Sequence, residues 1–299
     1  MPERLCIVCD AEVHGLPSLY ERDGFTLVRC SGCGLVLQHP PPDPAVLDRA
    51  YYHDDAFAEM LSGELRATTI ERAEEKVALL EPHGVLRPGR RMLDVGASSG
   101  AWLEVAGQHG LAGVGVEVGA STAAGARARG LDVRTGTLAE VRPSLADERF
   151  DLITFWDVLE HLPDPAQELA LARELLAPGG RLAVTFPNVD GLYPWLTYRL
   201  FARRTGVWEH PELPVHLYDF SPATGRRLLE RAGFVVDAMH TFATPYEFFR
   251  ATTLSGERTG WSRRRTVLRA AFDVLHRITY PLARRTDRGN AQLLLARAA

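Results

Sequence analysis

The sequence is poor in cysteine, with four among 299 residues and all of them between positions 6 and 33. A disulfide scaffold for the rest of the chain is thereby excluded. Long apolar runs are missing as well: none approaches the ~20 residues that span a bilayer, and the opening "MPERLCIVCD" lacks the basic-then-apolar pattern of a secretory leader. These absences predict a cytoplasmic protein without a transmembrane segment, a setting in which clustered thiols are metal ligands more often than disulfides. The formal net charge of −4 argues against a general nucleic-acid binder. That average hides an asymmetry, because 11 arginines and only 4 acids lie between Glu247 and the C-terminus, whereas residues 1–42 carry 3 basic and 5 acidic side chains. A basic tail follows an acidic body.

What is present begins with Cys6-x-x-Cys9 and Cys30-x-x-Cys33, separated by 20 residues. Two such knuckles close one tetrahedral Zn²⁺ site, and four thiolates with no open position describe a structural metal. Gly32 and Gly34 are expected to supply the backbone freedom of the second turn. The flanking runs "FTLV" and "LVL" suit the short strands of a zinc ribbon over residues 1–42, too small to bury a core without metal. The alternatives are free thiols or a redox pair.

Pro40, Pro41, Pro42 and Pro44 then form a stiff linker in which Asp43 or Asp48 starts a helix, and residues 43–88 read as linker and N-terminal helices. Leu65, Thr69, Ala73, Val77 and Leu80 share one face of a helix that stops at Pro82 and Gly84. From Arg91 short apolar runs alternate with helical segments, which predicts an α/β fold with a doubly wound, mostly parallel sheet over residues 89–299. Two insertions interrupt it, at about 190–218 and about 246–289. Ligands of such sheets bind at the carboxyl ends of the strands, where strand order reverses.

The stretch "LDVGASSGAW" puts Asp94, Gly96 and Gly100 on the turn after the first strand, and Glu117 ends the second strand 21 residues beyond Gly96. That spacing suits a carboxylate accepting from both ribose hydroxyls. A dinucleotide wants glycine where Ser98 stands and has no use for Asp94, a negative charge beside its diphosphate. A ligand with ribose, adenine and an ammonium group fits better.

Four ordered stretches, "LDVGASSG", "GVEV", "FDLITFWDVLEHLPDP" and "LLAPGGRLAVTFPN", resemble the motifs of class I S-adenosylmethionine-dependent methyltransferases. With the cysteines and the downstream "VWEHPELPVHLYDFS", the chain further resembles the bacterial subgroup that carries an N-terminal zinc ribbon. The resemblance implies a seven-stranded Rossmann-like sheet whose last strand, "AQLLLARA", is antiparallel, and S-adenosylmethionine as cofactor. It also implies that Asp94, Gly96, Ala97 and Gly100 line the methionine end, Glu117 the ribose, Thr137 and Leu138 the adenine edge, and that Trp156 and Asp157 lie beside the cofactor. The acidic adenine contact usual after the third strand is missing from "TGTLAE".

An oxygen acceptor gains from a general base, and histidine suits the role. His216 in "PVHLYDF" and His161 in "DVLEHLPDP" are the candidates, with His210 behind them; each also has a structural reading, as a brace for its loop. The first insertion interleaves Tyr193, Trp195, Tyr198, Phe201 and Trp208 with Arg199, Arg203 and Arg204, as for stacking on a ring and forking onto phosphate or carboxylate, or simply as a packed lid helix. In the tail, Leu268, Phe272, Leu275 and Leu282 recur at helical spacing and are expected to face a core. The expected enzyme O-methylates a small molecule such as a sugar, glycan intermediate or secondary metabolite, phosphorylated or linked to a carrier, and homo-oligomerises. The competing readings are an rRNA base methyltransferase, disfavoured by the ribbon's acidic balance, and a non-catalytic binding module, disfavoured by the intact carboxylate and glycine positions.

Overall fold

The computed structural model describes residues 5–51, 63, 65–244 and 263–299. The part of the basic insertion at 246–262 lies outside them. Two compact units emerge: Met1–Pro41 with Phe186–Gly225 and Met239–Leu293, and Pro42–Thr185 with Arg226–Ala238 and Leu294–Ala299.

In the first unit, β1 (Ser18–Arg22), β2 (Phe25–Arg29), β3 (Val36–Gln38) and β9 (Tyr218–Asp219) form an antiparallel sheet in the order β1-β2-β3-β9. The ribbon's third strand therefore pairs with a strand some 180 residues later, Val36 opposite Asp219 and Leu37 opposite Tyr218. Tyr20, Leu27 and Val36 pack in one apolar cluster with Val189, Ala202 and Trp208. The Tyr20 hydroxyl donates to the Gly206 carbonyl (3.1 Å) and accepts from the Trp208 N–H (3.1 Å).

Elsewhere the alternation of strand and helix gives β4 (Arg91–Val95), α3 (Ala101–Gln108), β5 (Ala112–Glu117), α4 (Ala120–Ala128), β6 (Val133–Thr135), α5 (Leu138–Val141), β7 (Phe150–Trp156), α6 (Pro165–Leu175) and β8 (Leu176–Pro187). With β10 (Phe234–Phe242) and β11 (Ala291–Ala298) they build a seven-stranded sheet in the order β10-β11-β8-β7-β4-β5-β6. The β4–β5, β4–β7, β5–β6 and β7–β8 pairs are parallel. Ala299 N–H bonds to Gly233 at one end of the last pair while Thr244 meets Asn290 at the other, so β11 runs antiparallel to β10, as expected. Residues 92–95 of β4 are all buried, as in a strand covered on both faces. The chain leaves β4 toward β5 and β6, then returns to place β7 on the other side, which fixes the switch point at the carboxyl end of β4.

Two helix starts differ from one another in an instructive way. Asp43, not Asp48, caps α1 (Pro44–Tyr51), its carboxylate accepting from Ala45 N–H at 2.8 Å. Helix α2 (Arg66–Leu80) buries the expected Ala73, Val77 and Leu80, and the Arg66 Nη2 donates to both Glu104 carboxylate oxygens of α3, at 2.9 and 2.8 Å. After β8 come α7 (Leu192–Thr197), α8 (Pro222–Arg231) and the long α9 (Arg263–Thr286). The tail helix turns differently from expectation. Its buried residues are Phe272, His276, Thr279 and Ala283, and Leu282 is exposed.

Candidate cofactor site and cysteine centre

At the carboxyl end of β4 the chain makes the sharp turn that the glycines predict. Gly96 has φ +76° and Gly100 φ +77°, and a Cβ would come within 2.5 Å of Val158 at the first and of Leu131 at the second. Ser98 also sits in the left-handed region, at φ +49°. Its N–H donates to one Glu117 oxygen (2.7 Å) while the Gly119 N–H donates to the other (2.7 Å). Burial raises the Glu117 pKa, against the lowering by these amides. Because the Ser98 amide already serves Glu117, it is not free to cradle a phosphate, which strengthens the case against a dinucleotide.

Asp94 is buried and accepts from the Thr154 hydroxyl of β7 at 2.6 Å. Burial pushes its carboxyl up to about 6, while Lys76 and Thr154 pull it down. Lys76 is the one residue here that the motifs do not reveal, although it is the only lysine in the sequence. It projects from α2 with Nζ 4.8 Å from the centre of the Trp156 ring. Burial lowers its pKa to about 8, against the Asp94 and Asp157 charges that raise it. Trp156 meets Trp102 edge to face at 5.3 Å, and its buried indole N–H has no hydrogen-bond partner among the described residues. Asp157, at φ +55°, gives its N–H to Thr185 of β8 at 3.0 Å.

One polar cradle thus gathers Asp94, Gly96, Ala97, Gly100, Glu117, Trp156 and Asp157, with Lys76 added. Thr137 closes a capping box with Glu140 at the start of α5, and the Leu138 side chain is buried. Since Asp94 has to be ionised to hold a cation, affinity for a sulfonium ligand should fall about tenfold per unit as pH drops below about 6; titration calorimetry across pH checks this. The sign for stability is opposite. A carboxyl whose pKa is raised on folding adds stability below the unfolded value and loses it as pH rises through about 6, so the empty site is least favourable when it is ready to bind.

The three histidines differ in burial and in the carboxylates beside them. His161 ends a short 3₁₀ turn after β7 and is half-buried. His210 is buried with Nε2 3.2 Å from the buried Asp219 carboxylate. His216 is buried too, Nε2 3.7 Å from Glu212, and its loop is tied to the ribbon by Gln38, whose amide donates to the carbonyls of Pro214 (2.7 Å) and His216 (2.5 Å). Of the aromatic insertion, Tyr193 and Trp208 are core residues, whereas Trp195 is exposed with Arg199 and Arg288 over its ring.

The four cysteines converge as their spacing predicts, every Sγ within 4.8 Å of the others. The Cys6–Cys33 and Cys9–Cys30 sulfur distances are 3.6 Å, close to the ~3.8 Å edge of a tetrahedron with ~2.3 Å zinc–sulfur bonds. The knuckles repeat one another: Cys6 N–H bonds to Ala11 and Asp10 N–H back to Cys6, as Cys30 N–H bonds to Leu35 and Gly34 N–H back to Cys30. Asp10 (φ +58°) and Gly34 (φ +84°) hold matching left-handed positions. Gly32 is needed for space, since its Cβ would lie 3.0 Å from the Cys9 sulfur. Burial raises the Cys6 thiol to about 11 and raises Cys33; at Cys30 burial acts the same way, but the Cys33 and Gly32 amides and neighbouring thiols outweigh it and bring the thiol to about 7.

The methyltransferase-domain family matches residues 65–239, more than half of the chain. The chain belongs to that family. Relatives of the chain include a ubiquinone biosynthesis O-methyltransferase of Hahella chejuensis, 33% identical over 125 residues that cover 40% of this chain and 49% of the relative. A "Probable S-adenosylmethionine-dependent methyltransferase" of Mycolicibacterium smegmatis is 32% identical over 151 residues, 50% of this chain and 53% of that protein. The chain thus spans about half the length of these curated relatives. Among solved structures, magnesium protoporphyrin IX methyltransferase from Synechocystis PCC 6803 with bound SAM shares the fold at 15% identity, with a TM-score of 0.51 over 87% of this chain and 100% of that one. The family's cofactor, S-adenosylmethionine, fits the cradle, which offers one buried and one half-buried carboxylate, side-chain-free glycines, an indole N–H without a partner among the described residues, and one ammonium group.

Proposed function

We propose that the chain is an S-adenosylmethionine-dependent methyltransferase that acts on an oxygen of a small-molecule acceptor. The observation that carries this reading is the pair Asp94 and Glu117, fixed around a glycine turn whose Ser98 amide is already committed. When bound, S-adenosylmethionine supplies an electrophilic methyl group. Glu117, aimed by the Ser98 and Gly119 amides, receives the ribose hydroxyls. Asp94 faces the cationic methionine end, and Lys76 is the cation for the methionine carboxylate. Holding acceptor and cofactor in line contributes most of the acceleration, and His216, with Glu212 beside it, takes the acceptor proton; His161 is the second candidate base. The relatives named as O-methyltransferases support transfer to oxygen. The arginine-rich segments favour an acceptor that is phosphorylated or carrier-linked, such as a sugar, glycan intermediate or secondary metabolite.

Calorimetry with S-adenosylhomocysteine, followed by transfer from labelled cofactor to oxygen-bearing acceptors, tests the reading; absence of binding with a folded protein refutes it. Lys76→Met separates the cofactor roles. It should weaken S-adenosylhomocysteine binding by about tenfold, the scale of one charge-assisted hydrogen bond, yet leave 5′-methylthioadenosine, which lacks the carboxylate, within about twofold. Equal losses for both ligands would remove Lys76 from that role.

We also infer that Cys6, Cys9, Cys30 and Cys33 hold a structural Zn²⁺. Elemental analysis of the purified chain should find one zinc per chain, and a metal-free, fully folded protein would contradict it.

A further inference from the structure

Helix α9 buries one face and exposes a second apolar one. Val267, Val274, Ile278 and Leu282 are 63%, 57%, 56% and 46% exposed, whereas Phe272, His276, Thr279 and Ala283 are 1%, 3%, 2% and 4% exposed. At 3.6 residues per turn the exposed four fall within an arc of about 80° and run for about 22 Å along the axis, centred roughly 130° from the buried four. The exposed Arg277 and Arg284 lie on one flank of this stripe, about 60° and 80° past its edge, and Arg285 lies on its line at the C-terminal end. The single acid of the helix, Asp273, is bonded to Arg269 at 3.0 Å. Just beyond the helix, Arg288 lies over the ring of Trp195, itself 42% exposed, and Leu200 of the adjoining turn is 44% exposed.

An aliphatic stripe with arginines beside it and no free acid on the helix has the pattern of a helix lying in a membrane interface, where an aromatic residue also sits favourably. No helix among the described residues is long and apolar enough to cross a membrane, so α9 can rest on one without spanning it. We propose that this face of α9 docks on an anionic bilayer, with the stripe at the acyl boundary and the arginines among the headgroups. Charge decides the occupant. A second copy packed face to face would set Arg277, Arg284 and Arg285 against their like, while an anionic surface neutralises all three.

Flotation of the full chain with vesicles of phosphatidylcholine, alone or mixed with phosphatidylglycerol, tests the proposal. The chain should float with the mixed vesicles at low salt and stay behind with the neutral ones. Val274→Glu/Ile278→Glu should lower partitioning at least tenfold while keeping its circular dichroism and S-adenosylhomocysteine affinity; Arg284→Gln/Arg285→Gln should flatten the salt dependence. The proposal is overturned if the wild type does not float with anionic vesicles, if the double glutamate variant floats equally well, or if sedimentation shows a wild-type dimer that this variant splits.

Discussion

Cys30→Ser, or removal of the zinc inferred above, is expected to unfold the sheet of β1, β2, β3 and β9 and to abolish turnover while leaving cofactor affinity within about threefold. The reason lies in where the ribbon's strands end. β3 pairs with β9, Tyr20 holds Gly206 and Trp208 by hydrogen bonds, and Leu27 and Val36 pack in the cluster that contains Val189, Ala202 and Trp208. The ribbon is thus a wall of the unit that carries the 186–225 segment, not a bead on a proline string. A structural Zn²⁺ binds with an apparent ~10–16 kcal/mol, comparable to the ~5–15 kcal/mol stability of an entire domain, so its loss has no local remedy. Asp94, Glu117 and Lys76 all belong to the second unit, which explains why binding should survive. Thermal melting with calorimetric titration reads both halves of the expectation. A variant with an unchanged melting profile would show that the cysteines are dispensable. Gln38→Ala is the milder version: it removes the amide that holds the Pro214 and His216 carbonyls, and should lower turnover with little change in melting temperature.

How much of this the sequence disclosed depends on the range of the interaction. The glycine turn, the Glu117 position and the two knuckles are local, so residue type and spacing carry them. The sheet order follows from handed crossovers between neighbouring elements. The β3–β9 pairing is different, because a two-residue strand far along the chain has no periodicity to display. Lys76 was invisible for another reason: a lysine on a helix face ordinarily reads as solvated, and only the approach of α2 to Trp156 turns it toward the site. In α9 the hydropathy count finds Phe272 but misses the rotation of the buried face toward His276, Thr279 and Ala283. Thr279 satisfies its hydroxyl within the helix, on the Leu275 carbonyl at 2.9 Å, and His276 stacks edge to face on Tyr193 at 5.0 Å, so two polar residues enter the core at little cost and Leu282 is turned out.

His216→Ala should lower kcat by about 10²- to 10⁴-fold, the range of a lost general base, with S-adenosylhomocysteine affinity unchanged. We prefer His216 to its neighbour for the following reason. His210 is buried against Asp219, whose oxygens have no other hydrogen-bond partner among the described residues, so His210→Ala strands a buried carboxylate and should cost mainly stability, about 3–5 kcal/mol. His216 instead has the half-exposed Glu212 carboxylate at 3.7 Å, a looser partner able to steady an imidazolium once the proton has moved. His161→Ala supplies the comparison, with a smaller expected loss because its 3₁₀ turn is held by backbone bonds from His161 to Val158 and from Leu162 to Leu159. Added imidazole should restore part of the His216→Ala rate and none of the His210→Ala defect, since a diffusing base replaces a proton acceptor but not a buried side-chain contact. If His216→Ala turns over like the wild type on an acceptor the protein methylates, proton removal belongs to another group and the role of this loop is structural.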